Sequence, residues 1–257
     1  MSGVLDLTNR VAVVIGATSG IGRTIAIGLA EHGAHVVPTG RRQQQLEEVC
    51  CRIEAAGVNT LCRTSDVTNR ESIEALRESV LETFHRVDIL VNAAGYTSKQ
   101  PTATMPEAQW TALFDTDLNG ALRSCQCFYQ ALRASRSGRV INIASLGSFL
   151  AFHEVAAYCA AKSALLSLTR SLACEWARDG ISVNAIAPGV FPTEMNGSIV
   201  NGTPRGRELL QRTPMGRFGR HEELIGVAVL LASDGASFLT GQCIVVDGGY
   251  LASGANT

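Results

Sequence analysis

The sequence predicts a single domain with a doubly wound α/β fold and a mainly parallel, seven-stranded sheet. Three observations carry that expectation. Short β-branched runs alternate with helix-length segments, the apolar character of the runs is continuous rather than alternating, and a glycine cluster follows the first of them. Strand-helix alternation places helices over a parallel sheet. Unbroken apolar character marks strands covered on both faces.

In chain order, the predicted strands are VAVVI (11–15), HVVPT (35–39), TLCRT (60–64), DILVN (88–92), RVINIA (139–144), ISVNAIA (181–187) and CIVV (243–246). Predicted helices fill 20–32, 43–56, 69–84, 107–134, 155–178 and 221–232, each long enough to cross a sheet face between successive strands. The stretch of about 188–220 has loop composition instead and starts at the carboxyl end of the sixth strand, where ligands bind in such sheets. An insertion of that length inside a compact domain is more often functional than idle, so about 190–220 is expected to be a substrate lid.

Bulk properties narrow the function. A chain of 257 residues with 46% hydrophobic content buries the core of one domain, here spanning 1–257. Its 22 Lys plus Arg against 23 Asp plus Glu leave a net charge of -1, with no electrostatic footprint for nucleic acid or an anionic membrane. Eight cysteines lie scattered through apolar segments without a Cys-x-x-Cys pair, so reduced core thiols and no metal site are expected. The start lacks the basic-then-apolar pattern of a leader, and a cytoplasmic protein is expected.

GATSGIG (16–22) follows the first strand and opens a helix. Gly16, Gly20 and Gly22 let the backbone turn tightly and approach a pyrophosphate, whose charge the helix N-terminus stabilises; Thr18, Ser19 and Ile21 complete the turn. Such a turn in the first βαβ unit points to a dinucleotide. The second strand ends in TGRR, with Gly40 in the place of the acid that usually accepts from the ribose. Arg41 and Arg42 beside it carry guanidinium forks suited to a 2′-phosphate, so NADP(H) is expected over NAD(H). Two more strand ends fit the same pocket: SDV, with Asp66 and Val67, and NAAG, with Asn92, Ala93 and Gly95. Asp66 could equally cap the helix beginning near Asn69.

NIAS closes the fifth strand at Ser145, and AYCAAK (157–162) sets Tyr158 and Lys162 four apart, one above the other on a helix face. A free phenol, with a pKa of about 10, is a poor base near neutral pH. A cation about 4 Å away at an effective dielectric of about 20 stabilises the phenolate by about 4 kcal/mol, worth about three pH units. The small neighbours Ala157, Ala160 and Ala161 are expected to let cofactor and substrate approach. DLNG, with Asn119, interrupts the helical pattern of 107–134.

Taken together, GATSGIG, NAAG, DLNG, Ser145, Tyr158-x-x-x-Lys162, APGVFPT and GQCIVVDGG make the chain resemble the short-chain dehydrogenase/reductase family, of the simple one-domain Rossmann type, over nearly its whole length. The resemblance implies a tetrad of Asn119, Ser145, Tyr158 and Lys162. Tyr158 would exchange a proton with the substrate oxygen, Ser145 would hydrogen-bond that oxygen, Lys162 would bind the nicotinamide ribose, and Asn119 would hold a water in a proton relay ending at Lys162. It also implies that the turn after Pro188 and Gly189 packs on the nicotinamide, that the Val190 backbone meets its carboxamide, and that Thr193 hydrogen-bonds nearby. Two departures stand out: Ile15 where the family commonly has Thr, and Ser19 where many NADP-preferring members carry a basic residue.

TEMN followed by RTPMGRFG resembles gluconate 5-dehydrogenases and 3-oxoacyl carrier-protein reductases, implying a small carbonyl or alcohol substrate: a keto sugar acid, a polyol or a 3-oxoacyl group. Arg205, Arg207, Arg212, Arg217 and Arg220 would attract an acid or form a solvated basic face. His153 would line the pocket or cap a loop. Family members usually assemble as homotetramers through the helices at 107–134 and 155–178, although core packing alone would account for the stripe Leu165, Leu168, Leu172 and Trp176. The rival expectation is a catalytically silent nucleotide-binding regulatory or scaffold protein, against which a complete tetrad argues.

Overall fold

The computed structural model describes residues 3–193, 197–200 and 202–254. Among them, six strands form one parallel sheet: β1 (Val11–Ile15), β2 (His35–Thr39), β3 (Ile89–Asn92), β4 (Gly138–Ile143), β5 (Ile181–Pro188) and β6 (Cys243–Val246). Their order is β2-β1-β3-β4-β5-β6, so the chain reverses direction across the sheet between β1 and β3. That switch point opens a crevice at the carboxyl ends of the two strands.

Apolar residues reach both faces of the sheet. From β1, Ala12 and Val14 enter one core with Ile25 and Leu29 of α1 (Gly20–Glu31), while Val11, Val13 and Ile15 enter the other. The first core continues into α9 (Ile225–Ala232). The second is closed by Ile73, Leu76 and Val80 of α3 (Arg70–Phe84), Phe128 and Leu132 of α5 (Gly120–Ala134), and Leu172 of α6 (Ala156–Trp176). A strand buried on both sides is the expected outcome of an unbroken apolar run.

The third predicted strand does not form. Residues 60–64 keep one bridge, Thr60 to Val36, at the sheet edge beside β2. Threonine hydroxyls replace the ladder: Thr60 Oγ1 donates to the Val36 carbonyl (2.7 Å) and Thr39 Oγ1 to the Arg63 carbonyl (2.7 Å). Since 62–64 are exposed, no buried face rewards further pairing. The segment runs on to α3 without an intervening helix; α2 (Gln43–Ala55) precedes it.

The predicted helix 107–134 is divided into α4 (Glu107–Phe114), a π-helical turn (Asp115–Asn119) and α5. An inserted residue of this kind rotates the side chains that follow it, and such turns recur at functional sites. The apolar stripe of α6 serves the protein's own core: Leu165 and Leu172 are buried, and Leu168 and Trp176 pack against the second core. Within the expected lid, α7 (Gly197–Val200) and α8 (Pro204–Gln211) are short; Thr203 caps α8 by accepting from the Gly206 amide at 2.9 Å. Of the TEMN motif, Glu194, Met195 and Asn196 lie outside the described residues.

No cysteine is in a disulfide. Cys50, Cys125 and Cys127 are buried as expected of core thiols, whereas Cys51, Cys62 and Cys174 are exposed. Among the described residues no helix is long and apolar enough to cross a membrane.

Candidate active site

At the switch point the chain turns from β1 into α1 against the loop after β3. Gly16 adopts a φ of +85°, and a Cβ there would lie 2.5 Å from the Ala94 backbone nitrogen. A Cβ on Gly22 would lie 2.2 Å from the Gly16 carbonyl oxygen. Only glycine fits either place. The side chain of Ser19, at the N-cap, makes no capping hydrogen bond, so the positive end of a 12-residue helix is left for an anion. This cradle fits a pyrophosphate.

The cleft beyond it has a volume of about 420 Å³. All the residues expected to hold a cofactor line it except Asn92 and Val190. Asn92 turns into the sheet, donating from Nδ2 to Asn142 Oδ1 at 2.8 Å, and Asn142 donates in turn to Thr169 Oγ1 at 2.9 Å. The Val190 side chain packs in an apolar cluster with Leu146 and Tyr250, and its carbonyl accepts from the Gly219 amide at 3.0 Å. Thr193 closes the cleft from the opposite side, its methyl 3.4 Å from where a Cβ on Gly20 would sit.

One end of the cleft is cationic. Arg42 reaches back over the glycine turn, its Nη2 donating to Thr18 Oγ1 (2.8 Å) and Ser19 Oγ (2.5 Å). No acid can replace Gly40 without displacement, because a Cβ there would lie 2.8 Å from the Thr18 methyl. Asp66 builds a turn, accepting from the Thr68 amide (2.9 Å) and hydroxyl (2.8 Å), while the cap of α3 is Asn69, which accepts from the Ser72 amide. Burial opposes ionisation of Asp66, yet the Thr68 hydrogen bonds, with Arg41 and Arg123, hold its carboxyl below the usual range.

At the other end stand the expected reacting groups. Ser145 follows β4 and accepts on Oγ from the Gly147 amide at 3.1 Å. One turn apart on α6, Tyr158 and Lys162 meet, with Lys162 Nζ 5.7 Å from the Tyr158 ring centroid. Lys162 is 5% exposed; its Nζ donates to the Ile143 carbonyl at 3.0 Å and lies 3.4 Å from Asp117 Oδ2. Asp117 Oδ1 accepts from the Tyr96 amide at 3.0 Å. Burial pushes the Asp117 carboxyl up, partly countered by Lys162 and that amide.

Asn119 is not brought to the lysine. Its side chain is exposed and donates to Asp115 Oδ1 at 3.4 Å, and the place beside Lys162 is held by Asp117. Both residues sit in the π-helical turn, but Asp117 lies four residues after the buried Leu113 and shares its inward face, whereas Asn119, two residues further on, falls outside it. The sequence signal for Asp117 was a carboxylate inside an otherwise apolar helix face. Gly95 owes its identity to the same pair: a Cβ there would lie 2.7 Å from Asp117 Oδ2 and 3.1 Å from Lys162 Nζ.

Other expectations resolve differently. Ala157 and Ala161 are buried with Leu113 beneath α6, so they serve helix packing rather than the approach of a ligand. His153 is exposed, its Nδ1 3.5 Å from Glu154 Oε2. Arg205 donates to the His153 carbonyl and Arg207 to that of Gly202. Arg212 lies over the Tyr250 ring, and Arg217 and Arg220 pair with Glu223. Tyr96 and Thr116, which sequence reasoning did not single out, also line the cleft.

Residues 16–251 match a family model described as enoyl-(acyl carrier protein) reductase. A gluconate 5-dehydrogenase of Gluconobacter oxydans is 36% identical, over 97% of this chain and 98% of its own. An NAD-dependent glycerol dehydrogenase of Listeria innocua is 36% identical, over 95% of each. A solved gluconate 5-dehydrogenase from Burkholderia cenocepacia, in complex with NADP and tartrate, superposes with a TM-score of 0.93 at 35% identity, covering 98% of both chains. The family model and these relatives cover more than nine-tenths of the chain, which already carries the glycine turn at the switch point and the tyrosine-lysine pair facing it: the chain belongs to the short-chain dehydrogenase/reductase family.

Proposed function

We propose that the protein is an NADP(H)-dependent oxidoreductase of a polyol or keto sugar acid, with Ser145, Tyr158 and Lys162 at the reacting centre. The observation that carries this reading is the buried Lys162 ammonium 5.7 Å from the Tyr158 ring, in the cleft that the glycine turn opens. When bound, nicotinamide supplies or accepts the hydride. Tyr158 gives its proton to the substrate oxygen in reduction and takes one in oxidation. Ser145 already accepts from Gly147, so its own O–H is left to donate to that oxygen. With Ile143 and Asp117 behind it, Lys162 keeps a donor for a ribose hydroxyl.

The cofactor preference rests on Arg41, Arg42 and the absence of room for an acid at Gly40. NADP in the Burkholderia neighbour supports it; the NAD-dependent Listeria relative pulls the other way. The substrate class is supported by the two named relatives and the bound tartrate, which favour polyhydroxylated compounds over 3-oxoacyl thioesters. A cytoplasmic homotetramer completes the proposal, to be read from sedimentation of the purified protein.

A screen of sugar acids, polyols and 3-oxoacyl thioesters, followed by the absorbance of reduced nicotinamide, tests the activity. Tyr158→Phe is expected to lower turnover by about 10²- to 10⁴-fold with cofactor affinity retained. Normal NADPH binding with no turnover on any substrate class would favour the silent nucleotide-binding protein. Equal affinities for NADPH and NADH, unchanged by Arg41→Ala, would remove the phosphate preference.

A further inference from the structure

Behind the cleft floor, beneath Lys162, lies a buried carboxylate. Asp117 is 1% exposed, and its Oδ2 has no hydrogen-bond partner; its 3.4 Å approach to Lys162 Nζ is an ion-pair contact. Three elements meet there: the π-helical turn, α6, and the loop after β3, which contributes the Tyr96 amide and a glycine with no room for a side chain. A carboxylate is costly to bury unless it answers a cation.

We propose that Asp117 is the counter-charge of Lys162, a positioning residue that holds the ammonium beneath the cleft and sets, through it, the pH at which Tyr158 exchanges its proton. The inference rests on the proposed role of Tyr158. With Asp117 ionised, the group beneath the phenol is a neutral pair rather than a lone cation, so it stabilises a phenolate less. The other ionisable groups facing Asp117 do not cancel this. From the loop after β3, Tyr96 presents a phenol that burial and Asp117 itself push up, with Arg41 opposing. On its own turn, Asp115 is tied to Arg123. From α6 come Lys162 and, one turn earlier, Tyr158.

The magnitude follows from the contacts. The 3.4 Å and 5.7 Å separations in series put the carboxylate within about 9 Å of the Tyr158 ring centroid. At an effective dielectric of about 20, a unit charge at that range moves a titration by about one pH unit. Asp117→Asn keeps the shape and removes the charge.

The parent and Asp117→Asn are titrated by the ultraviolet absorbance of phenolate, each against its own Tyr158→Phe control. The Tyr158 curve is thus read without substrate or turnover. The expected result is a midpoint about one pH unit lower in the Asn variant, with Asp117→Glu, which keeps the charge, close to the parent. A residue that merely fills space would move neither curve. Coincident midpoints, a higher midpoint in the Asn variant, or a Glu variant that follows the Asn variant would each overturn the proposal. Should the Asn variant fail to fold, Asp117→Ser is titrated in the same way with the same criteria. If the shift is present while the substrate panel gives no turnover, the counter-charge stands and the reductase reading falls.

Discussion

Gly22→Ala and Gly226→Ala add the same methyl group to two helices and are expected to have opposite effects. At Gly22, in the first turn of α1, the new Cβ would lie 2.2 Å from the Gly16 carbonyl oxygen and 2.9 Å from its carbon. That oxygen belongs to the backbone, so the helix has to back away from β1 by about 1 Å. Overpacking of this kind costs typically 1–3 kcal/mol, here at the upper end because no side chain can swing aside. Alanine's helix propensity returns about 0.5–1 kcal/mol, leaving a net loss of about 2 kcal/mol. Gly226, on the exposed face of α9, has nothing within 4 Å of the position a Cβ would take. Only the propensity gain applies there, and the variant is expected to be more stable by about 0.5–1 kcal/mol. Guanidinium unfolding at 25 °C reads both. Because the Gly22 methyl also deforms the pyrophosphate cradle, NADPH affinity is expected to fall for that variant and to stay unchanged for Gly226→Ala. A Gly22→Ala protein as stable as the parent would refute the close approach on which the cofactor site is built, and a destabilised Gly226→Ala protein would refute the open space on α9.

Two further outcomes follow from buried groups. Thr169→Val keeps the volume but removes the acceptor for Asn142 Nδ2, in a network where Asn142 is 0% and Thr169 1% exposed; denaturant unfolding is expected to show a loss of about 1–3 kcal/mol, and no loss would mean that water satisfies the amide. Burial pushes the thiol of Cys125 up to about 12; burial, together with the neighbouring Cys62, does the same for Cys50. At pH 8 both are almost wholly protonated, so a disulfide reagent is expected to label exposed Cys51 and Cys174 in the folded protein and to reach Cys50 and Cys125 only after unfolding. Equal labelling of Cys125 and Cys174, read by mass spectrometry of peptides, would contradict the packing.

The sequence reading succeeded where one physical cause dominates. Burial on both faces makes β1 a continuous apolar run, and a Cβ clash makes Gly16 and Gly22 visible as glycines. It failed where two causes compete. Residues 60–64 have the composition of a strand, but at an exposed edge the hydroxyls of Thr39 and Thr60 take the carbonyls that a ladder would have used. Asn119 has the chemistry expected beside Lys162, yet helix geometry gives that place to Asp117, four residues after the buried Leu113; there residue type and facing disagree. The alanines of AYCAAK were legible as small but not as inward-facing, since a helix packed on Leu113 and one lining a cleft select the same residues.

The site depends less on any one side chain than on how α6 is fastened to β4, because Ser145 follows the strand and Tyr158 rides on the helix. Five hydrogen bonds join α6 to β4 and the turn that follows it: Asn142 to Thr169 (2.9 Å), Lys162 to the Ile143 carbonyl (3.0 Å), Ser148 Oγ to the Lys162 carbonyl (2.8 Å), and Ser163 Oγ to the Ser148 (3.2 Å) and Gly147 (3.5 Å) carbonyls. Below them, Leu165, Leu166 and Leu172 are buried. Rotation of α6 about its axis would break the Thr169 and Lys162 bonds together, because they lie two turns apart on the same face. Two hydroxyls that must address one substrate oxygen are therefore held by groups that never touch it, and reaction rates are steeply sensitive to misplacement of about 1 Å. Lys162 joins both functions: its ammonium fastens the helix to the strand and its carbonyl fastens it to the turn that follows, while the same ammonium underlies the phenol.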